Sequence, residues 1–156
     1  MTATPPGRRT PPVVFPVHVT AADRTVDVHQ QPTCFACGAD NPSGLHGRFV
    51  SRGEEVLGTL VVTDAMVGAP GRLHGGVMMA FIDEALGLVC MNLGVETMTA
   101  SLTVDLRAPA YVGATLTQRG WVERREGRKW FMRSEVHEGD RLLAEARGLW
   151  IQPRAG

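Results

Sequence analysis

Leu73-His74-Gly75-Gly76-Val77-Met78-Met79-Ala80-Phe81-Ile82-Asp83-Glu84-Ala85-Leu86-Gly87-Leu88-Val89-Cys90-Met91 decides the fold of this chain. From Val77 to Met91 the segment is apolar except for Asp83 and Glu84. A helix that is apolar on every side has no face left for water and belongs in a protein interior. An ionised carboxylate is costly to bury unless a partner offsets the lost hydration. Two adjacent acids in such a helix point to function, or to one acid that simply faces solvent, since successive residues lie about 100° apart around a helix. Gly75 and Gly76 stand at the helix start, where backbone N–H groups have no intrahelical partner. The helix dipole is positive there, and glycine lets another group come close. The segment thus offers donors for a developing oxyanion and a carboxylate suited to base or nucleophile work.

Gly75 and Asp83 are eight residues apart, roughly 12 Å along a helix axis. A reacting carbonyl must lie about 3 Å from both its oxyanion donor and its base or nucleophile. One chain cannot bring these two residues to the same carbon. If both act in one reaction, Gly75 of one subunit must meet Asp83 of another. A two-fold homodimer with two composite sites is the simplest such assembly; a dimer of dimers is equally compatible.

Leu73-His74-Gly75-Gly76, with Asp83 nine residues after His74, resembles the signature of hotdog-fold acyl-CoA thioesterases of the phenylacetate-pathway (PaaI-like) type. The run from Cys34 to Leu45 resembles the segment that leads into the domain in many members. Met98 to Pro109 resembles the strand after the helix, and Gly113 falls where the next turn has its glycine. The likeness extends from about Cys34 to Trp150. It implies an α+β hotdog fold, an antiparallel β-sheet wrapped around one long central helix, and an acyl-CoA substrate with no cofactor and no metal.

The resemblance also implies roles. The Gly75 N–H would bind the thioester oxygen, and Asp83 would act as base or nucleophile, with the choice left open. Thr99 would help place the attacking water, with Ser101 as its fallback on the same strand face by period-two alternation. His74 would brace the glycine turn or touch the substrate carbonyl, and Glu84 would be the reserve acid. Gly76 adjoins the substrate, and Met79 and Leu86 either line the acyl pocket or pack the core. Relatives place an Asn in the loop before the helix where this chain has Gly68, so that loop is expected to contribute differently. The CoA phosphates call for an electropositive mouth, for which Arg107, Arg119, Arg124, Arg125, Arg128 and Lys129 are candidates. Two rival readings are a hotdog acyl-thioester hydratase or dehydratase, which would need a His paired with an acid, and a non-catalytic acyl-CoA binding protein, which Gly68 keeps open.

The remaining sequence fits that frame. The 156 residues suit one domain with a real core. A formal net charge of zero argues against a nucleic-acid binder. The apolar runs fall short of the ~20 residues of a membrane span, and Arg8 and Arg9 precede no apolar core of a secretory signal. The expectation is a cytoplasmic protein. Residues 1–30 read as a flexible proline-rich arm and 31–156 as the hotdog domain; Pro5, Pro6, Pro11, Pro12 and Pro16 crowd the start. Cys34 and Cys37 form one Cys-x-x-Cys without a second pair, so they are assigned to packing a turn rather than to zinc. Strands are predicted at Val56–Thr63, Met98–Ala108, Thr115–Arg125, Lys129–His137 and Leu142–Ile151.

Overall fold

The computed structural model describes residues 25–27 and 31–154. Helix α1 (Gly75–Asn92) lies against one sheet of seven strands: β1 (Thr25–Asp27), β2 (Arg48–Arg52), β3 (Glu55–Val61), β4 (Met98–Leu106), β5 (Thr115–Glu126), β6 (Lys129–Glu138) and β7 (Arg141–Ile151). The spatial order is β1-β2-β3-β5-β6-β7-β4, with every neighbouring pair antiparallel. This is the hotdog arrangement that the sequence implied, α+β with the helix at the centre.

The helix ends are set by local chemistry. His74 is the N-cap, extended at φ −66° and ψ 133°, and its side chain accepts from the Gly76 N–H. At the far end Gly94 takes φ 74°, a left-handed conformation that glycine adopts without a side-chain clash. Gly94 N–H donates to the Met91 carbonyl at 2.8 Å, and Val95 N–H donates to the Cys90 carbonyl at 3.0 Å. Those two bonds make a Schellman stop.

Phe81, Ile82, Ala85, Leu86, Leu88 and Val89 are fully buried. They meet alternate residues of the sheet's inner face: Val56 and Leu60, Leu116, Met132 and Val136, and Trp150. Leu86 therefore belongs to the core and not to an acyl pocket. The close approach of helix to sheet depends on glycine at two points. A β-carbon at Gly58 would stand 2.8 Å from Phe49 Cε1 and 3.1 Å from Phe81 Cζ; one at Gly120 would stand 3.0 Å from Leu86 Cδ2. By length and mean hydropathy α1 could cross a membrane, but here its apolar bulk is spent on the sheet.

Three expectations change. The helix is not buried on every side: Gly76, Met79, Asp83, Gly87 and Met91, spaced three and four apart, form a partly accessible strip along it. Strand β2 was missed, because only its centre, Phe49-Val50-Ser51, lies between the flanking Arg48 and Arg52. Within the expected arm, Thr25–Asp27 pairs antiparallel with β2; the proline-rich stretch before it lies outside the described residues.

Phe81 is fully buried with its ring 5.5 Å from that of Phe49. Phe81→Ala is expected to destabilise the fold by about 3–5 kcal/mol, measured as a lower denaturant midpoint with little change in slope.

Candidate active site

The helix N-terminus opens on a cavity of about 610 Å³ lined by Gly68, Arg72, Leu73, His74, Gly75 and Met78 from one side, and by Leu106 to Ala110 from the other. The Gly76 N–H is taken by His74 Nδ1 at 2.9 Å, whereas Val77 and Met78 donate to the His74 carbonyl. Among the described residues no acceptor takes the Gly75 N–H, so it is the donor left for a ligand. His74 is therefore the brace of the glycine turn. Gly68 packs on it: a β-carbon there would lie 2.9 Å from His74 Cδ2, so an Asn at this position would displace the ring.

Asp83 is half-buried on the accessible strip of α1 and does not line that cavity. Thr99 Oγ1 donates to Asp83 Oδ1 at 2.8 Å. This joins the acid to the start of β4, sixteen residues on. Ser101 is not equivalent. A β-bulge between Thr99 and Ser101 pairs Thr99 with Trp150 and Ser101 with Leu149. Cross-strand partners share a face and successive residues alternate, so Ser101 projects to the face opposite Thr99. The inserted residue, Ala100, is what breaks the alternation on which the fallback rested.

Glu84 turns the other way around the helix. Cys34 Sγ lies 3.5 and 3.6 Å from its two carboxylate oxygens. Burial is the largest cause of a raised Glu84 pKa; the Asp83 charge adds to it, and the Cys37 and Cys34 thiols counter it. Burial, then the hydrogen bond and charge of Glu84, push the Cys37 thiol far up. Glu84 is thus tied to the Cys34–Cys37 turn and does not line the cavity at Gly75. Met79 is 41% exposed on the accessible strip and is likewise not part of that lining.

Of the proposed phosphate ligands, Arg107 lines the cavity, where it is held by Glu145 at 2.9 Å and Asp105 at 3.9 Å. Arg119 pairs with Glu55 and lies over the Trp121 ring, and Arg124 and Arg125 lie over Phe131 and Trp130. Neither these three nor Arg128 and Lys129 line the cavity. Arg72, which sequence reasoning passed over, does line it. Its guanidinium makes no ion pair or hydrogen bond among the described residues. Its place just before Leu73-His74-Gly75 was the available signal.

A family model described as the thioesterase superfamily matches residues 70–148, a span that holds Gly75, Asp83 and Thr99. The acyl-coenzyme A thioesterase THEM4 of Xenopus laevis is 37% identical over 87 residues, which is 54% of this chain and 39% of that protein. The chain therefore spans well under half the length of that relative. Among solved structures, the E. coli PaaI protein from the phenylacetic acid degradation operon superposes with a TM-score of 0.67 at 22% identity, over 71% of this chain and 82% of its own. A hypothetical thioesterase protein with coenzyme A from Streptococcus pneumoniae TIGR4 does so with a TM-score of 0.61 at 20% identity, over 65% of this chain and 84% of its own. These structures agree with the hotdog fold.

Because His74 Nδ1 supplies the N-cap, His74→Ala is expected to cost about 1 kcal/mol of stability and His74→Asn much less. Thermal denaturation of both variants against wild type checks the order.

Proposed function

Since the chain belongs to the thioesterase superfamily, we propose that it hydrolyses an acyl-CoA thioester to the free acid and CoA, in a site assembled from two copies of the chain. The observation that carries this reading is the Thr99–Asp83 hydrogen bond of 2.8 Å. It fixes the carboxylate through Oδ1 and leaves Oδ2 without a partner among the described residues. In the hydrolytic step Asp83 takes a proton from water, and the water oxygen bonds to the thioester carbon. The carbonyl oxygen, now negative, accepts from the Gly75 N–H at the positive end of α1. The tetrahedral carbon then expels the CoA sulfur, which leaves with the proton that Asp83 had taken. The same geometry serves direct attack by Asp83, with water cleaving the resulting anhydride.

The Gly75 donor opens on one cavity and the Asp83–Thr99 pair lies outside its lining, which supports a shared site. So does β4, a nine-residue strand at the sheet edge. Its exposed Met98 and Leu106 are 67% and 52% accessible. A long exposed edge strand presents unpaired backbone N–H and C=O groups and is an aggregation hazard unless something covers it. A second copy laid along β4 and the accessible strip of α1 would cover it and bring Asp83 of the partner subunit toward Gly75. Arg72 and Arg107 at the cavity suit the CoA phosphates. The Arg107 carboxylate partners are exposed and exchange readily for a phosphate. A hydratase is disfavoured because His74 devotes Nδ1 to the helix cap and has no acidic partner among the described residues. Cytoplasmic residence, where thiols stay reduced, is part of the proposal and fits the three free cysteines.

The test is thiol release from a panel of aryl- and fatty-acyl-CoAs. Asp83→Asn, nearly isosteric, is expected to lower kcat at least about 100-fold, and Thr99→Val about 10-fold. Turnover untouched by Asp83→Asn would remove that residue from the mechanism, and no turnover on any thioester would leave a binding protein.

Gly75→Pro deletes the free N–H at the first helical position, where proline is tolerated; its β-carbon would meet the end of the Leu106 side chain at 3.3 Å, a contact a small shift of that side chain relieves. It is expected to cost about 10²–10³ in kcat with the melting temperature nearly unchanged. Mixing the Asp83→Asn and Gly75→Pro chains after dissociation and reassociation restores about a quarter of the sites if each site uses both subunits. No recovery, with mixed dimers demonstrated, would show that Gly75 and Asp83 do not meet across subunits in one site.

A further inference from the structure

We propose that Cys34, Cys37 and Glu84 form a binding site for one zinc-class divalent cation, with water in the fourth position. The ligating atoms of these three residues lie within 4.8 Å of one another, and all three residues are half-buried. A tetrahedral ion with bonds of about 2.3 Å to sulfur and about 2.0–2.2 Å to oxygen holds its ligand atoms about 3.5–3.8 Å apart. Small side-chain rotations therefore close the set. The turn that carries the thiols is already formed. Gly38 N–H donates to the Cys34 carbonyl at 2.9 Å, and a β-carbon at Gly38 would stand 2.4 Å from Cys34 N and 2.5 Å from its carbonyl oxygen. Only glycine lets the chain fold back this tightly, and in doing so it presents both sulfurs to α1. Leu45 N–H to Phe35 O at 2.7 Å and Gly47 N–H to Ala36 O at 2.8 Å lace the turn to the following loop.

Glu84 supplies the second line of argument. It lies beside Ala85 and Leu86, both fully buried, and among the described residues no Arg, Lys or His pairs with it. A carboxylate in such surroundings needs a cation or strong donors, and thiols are weak donors. Two thiolates and one carboxylate bring three negative charges, balanced in most part by a divalent ion, whose binding would release the two thiol protons. Thiolate ligands select zinc-class ions over magnesium and calcium. The ion would clamp the turn to the middle of α1, one residue from Asp83. Turn packing was the sequence expectation because no second cysteine pair follows; the fold brings a third ligand from fifty residues away.

The test uses the full chain, reduced, freed of metal with a chelator, and titrated anaerobically with Co²⁺ and then Zn²⁺. One ion per chain is expected, with a thiolate-to-cobalt charge-transfer absorption that Zn²⁺ abolishes. Cys37→Ser should lower that absorption by at least about half, since one of its two thiolates is gone, and Glu84→Gln should weaken binding about tenfold or more while part of the absorption survives. In the wild-type chain, Zn²⁺ should protect Cys34 and Cys37 from alkylation and leave Cys90 unaffected, a readout that depends on no variant and on no thioesterase activity. Absence of stoichiometric binding by the reduced wild type, or alkylation of Cys34 and Cys37 at the same rate with and without Zn²⁺, would overturn the site. Binding unchanged in Glu84→Gln would overturn the three-ligand assignment.

Discussion

Everything in this molecule follows from the need to hide one helix. An eighteen-residue segment with only two charges cannot remain in water, and a single antiparallel sheet curled around it is the covering. The strength of that burial shows in how far the sheet yields to it. Glycine replaces a side chain at Gly58 and Gly120 so that Phe81 and Leu86 can seat. Gln118 is accepted beneath the helix, where its amide reaches Ser134 Oγ at 2.9 Å and the Ile82 carbonyl at 3.4 Å. A core that tight makes α1 a rigid rod, so whatever stands on it is held in a fixed place.

Two acids stand on it, and the fold treats them differently. Asp83 lies on the accessible strip and receives a hydroxyl from Thr99. Glu84, about 100° further round, points to the Cys34–Cys37 turn and meets two thiols. Both are half-buried, the first with one oxygen bonded to Thr99, the second set among thiols. Neighbours in sequence thereby acquire separate surroundings, a hydroxyl partner for the first and a pair of thiols for the second.

The same rigid rod keeps the Gly75 N–H and the Asp83 carboxylate apart. The unpaired Gly75 N–H belongs to the N-terminal cavity, and Asp83 belongs to a point two turns further along. β4 beside Asp83 is an open edge of the sheet, the surface on which the proposed second copy would bring the two together.

The sequence by itself determined the helix, its glycine start, and the strands β3 to β7, because these rest on local periodicity and turn chemistry that each segment carries within it. It also pointed to Asp83 and Thr99, through a spacing that resembles a family pattern. It did not reveal β2, whose pattern is too short to read. Nor did it reveal the bulge that turns Ser101 away, the cavity at Arg72, or the meeting of Glu84 with Cys34 and Cys37. Those depend on which residues distant in the chain are brought within a few ångströms. Only the packing of helix on sheet decided that, since contact between remote segments is fixed by the shape of the shared core and leaves no periodic trace in either segment alone.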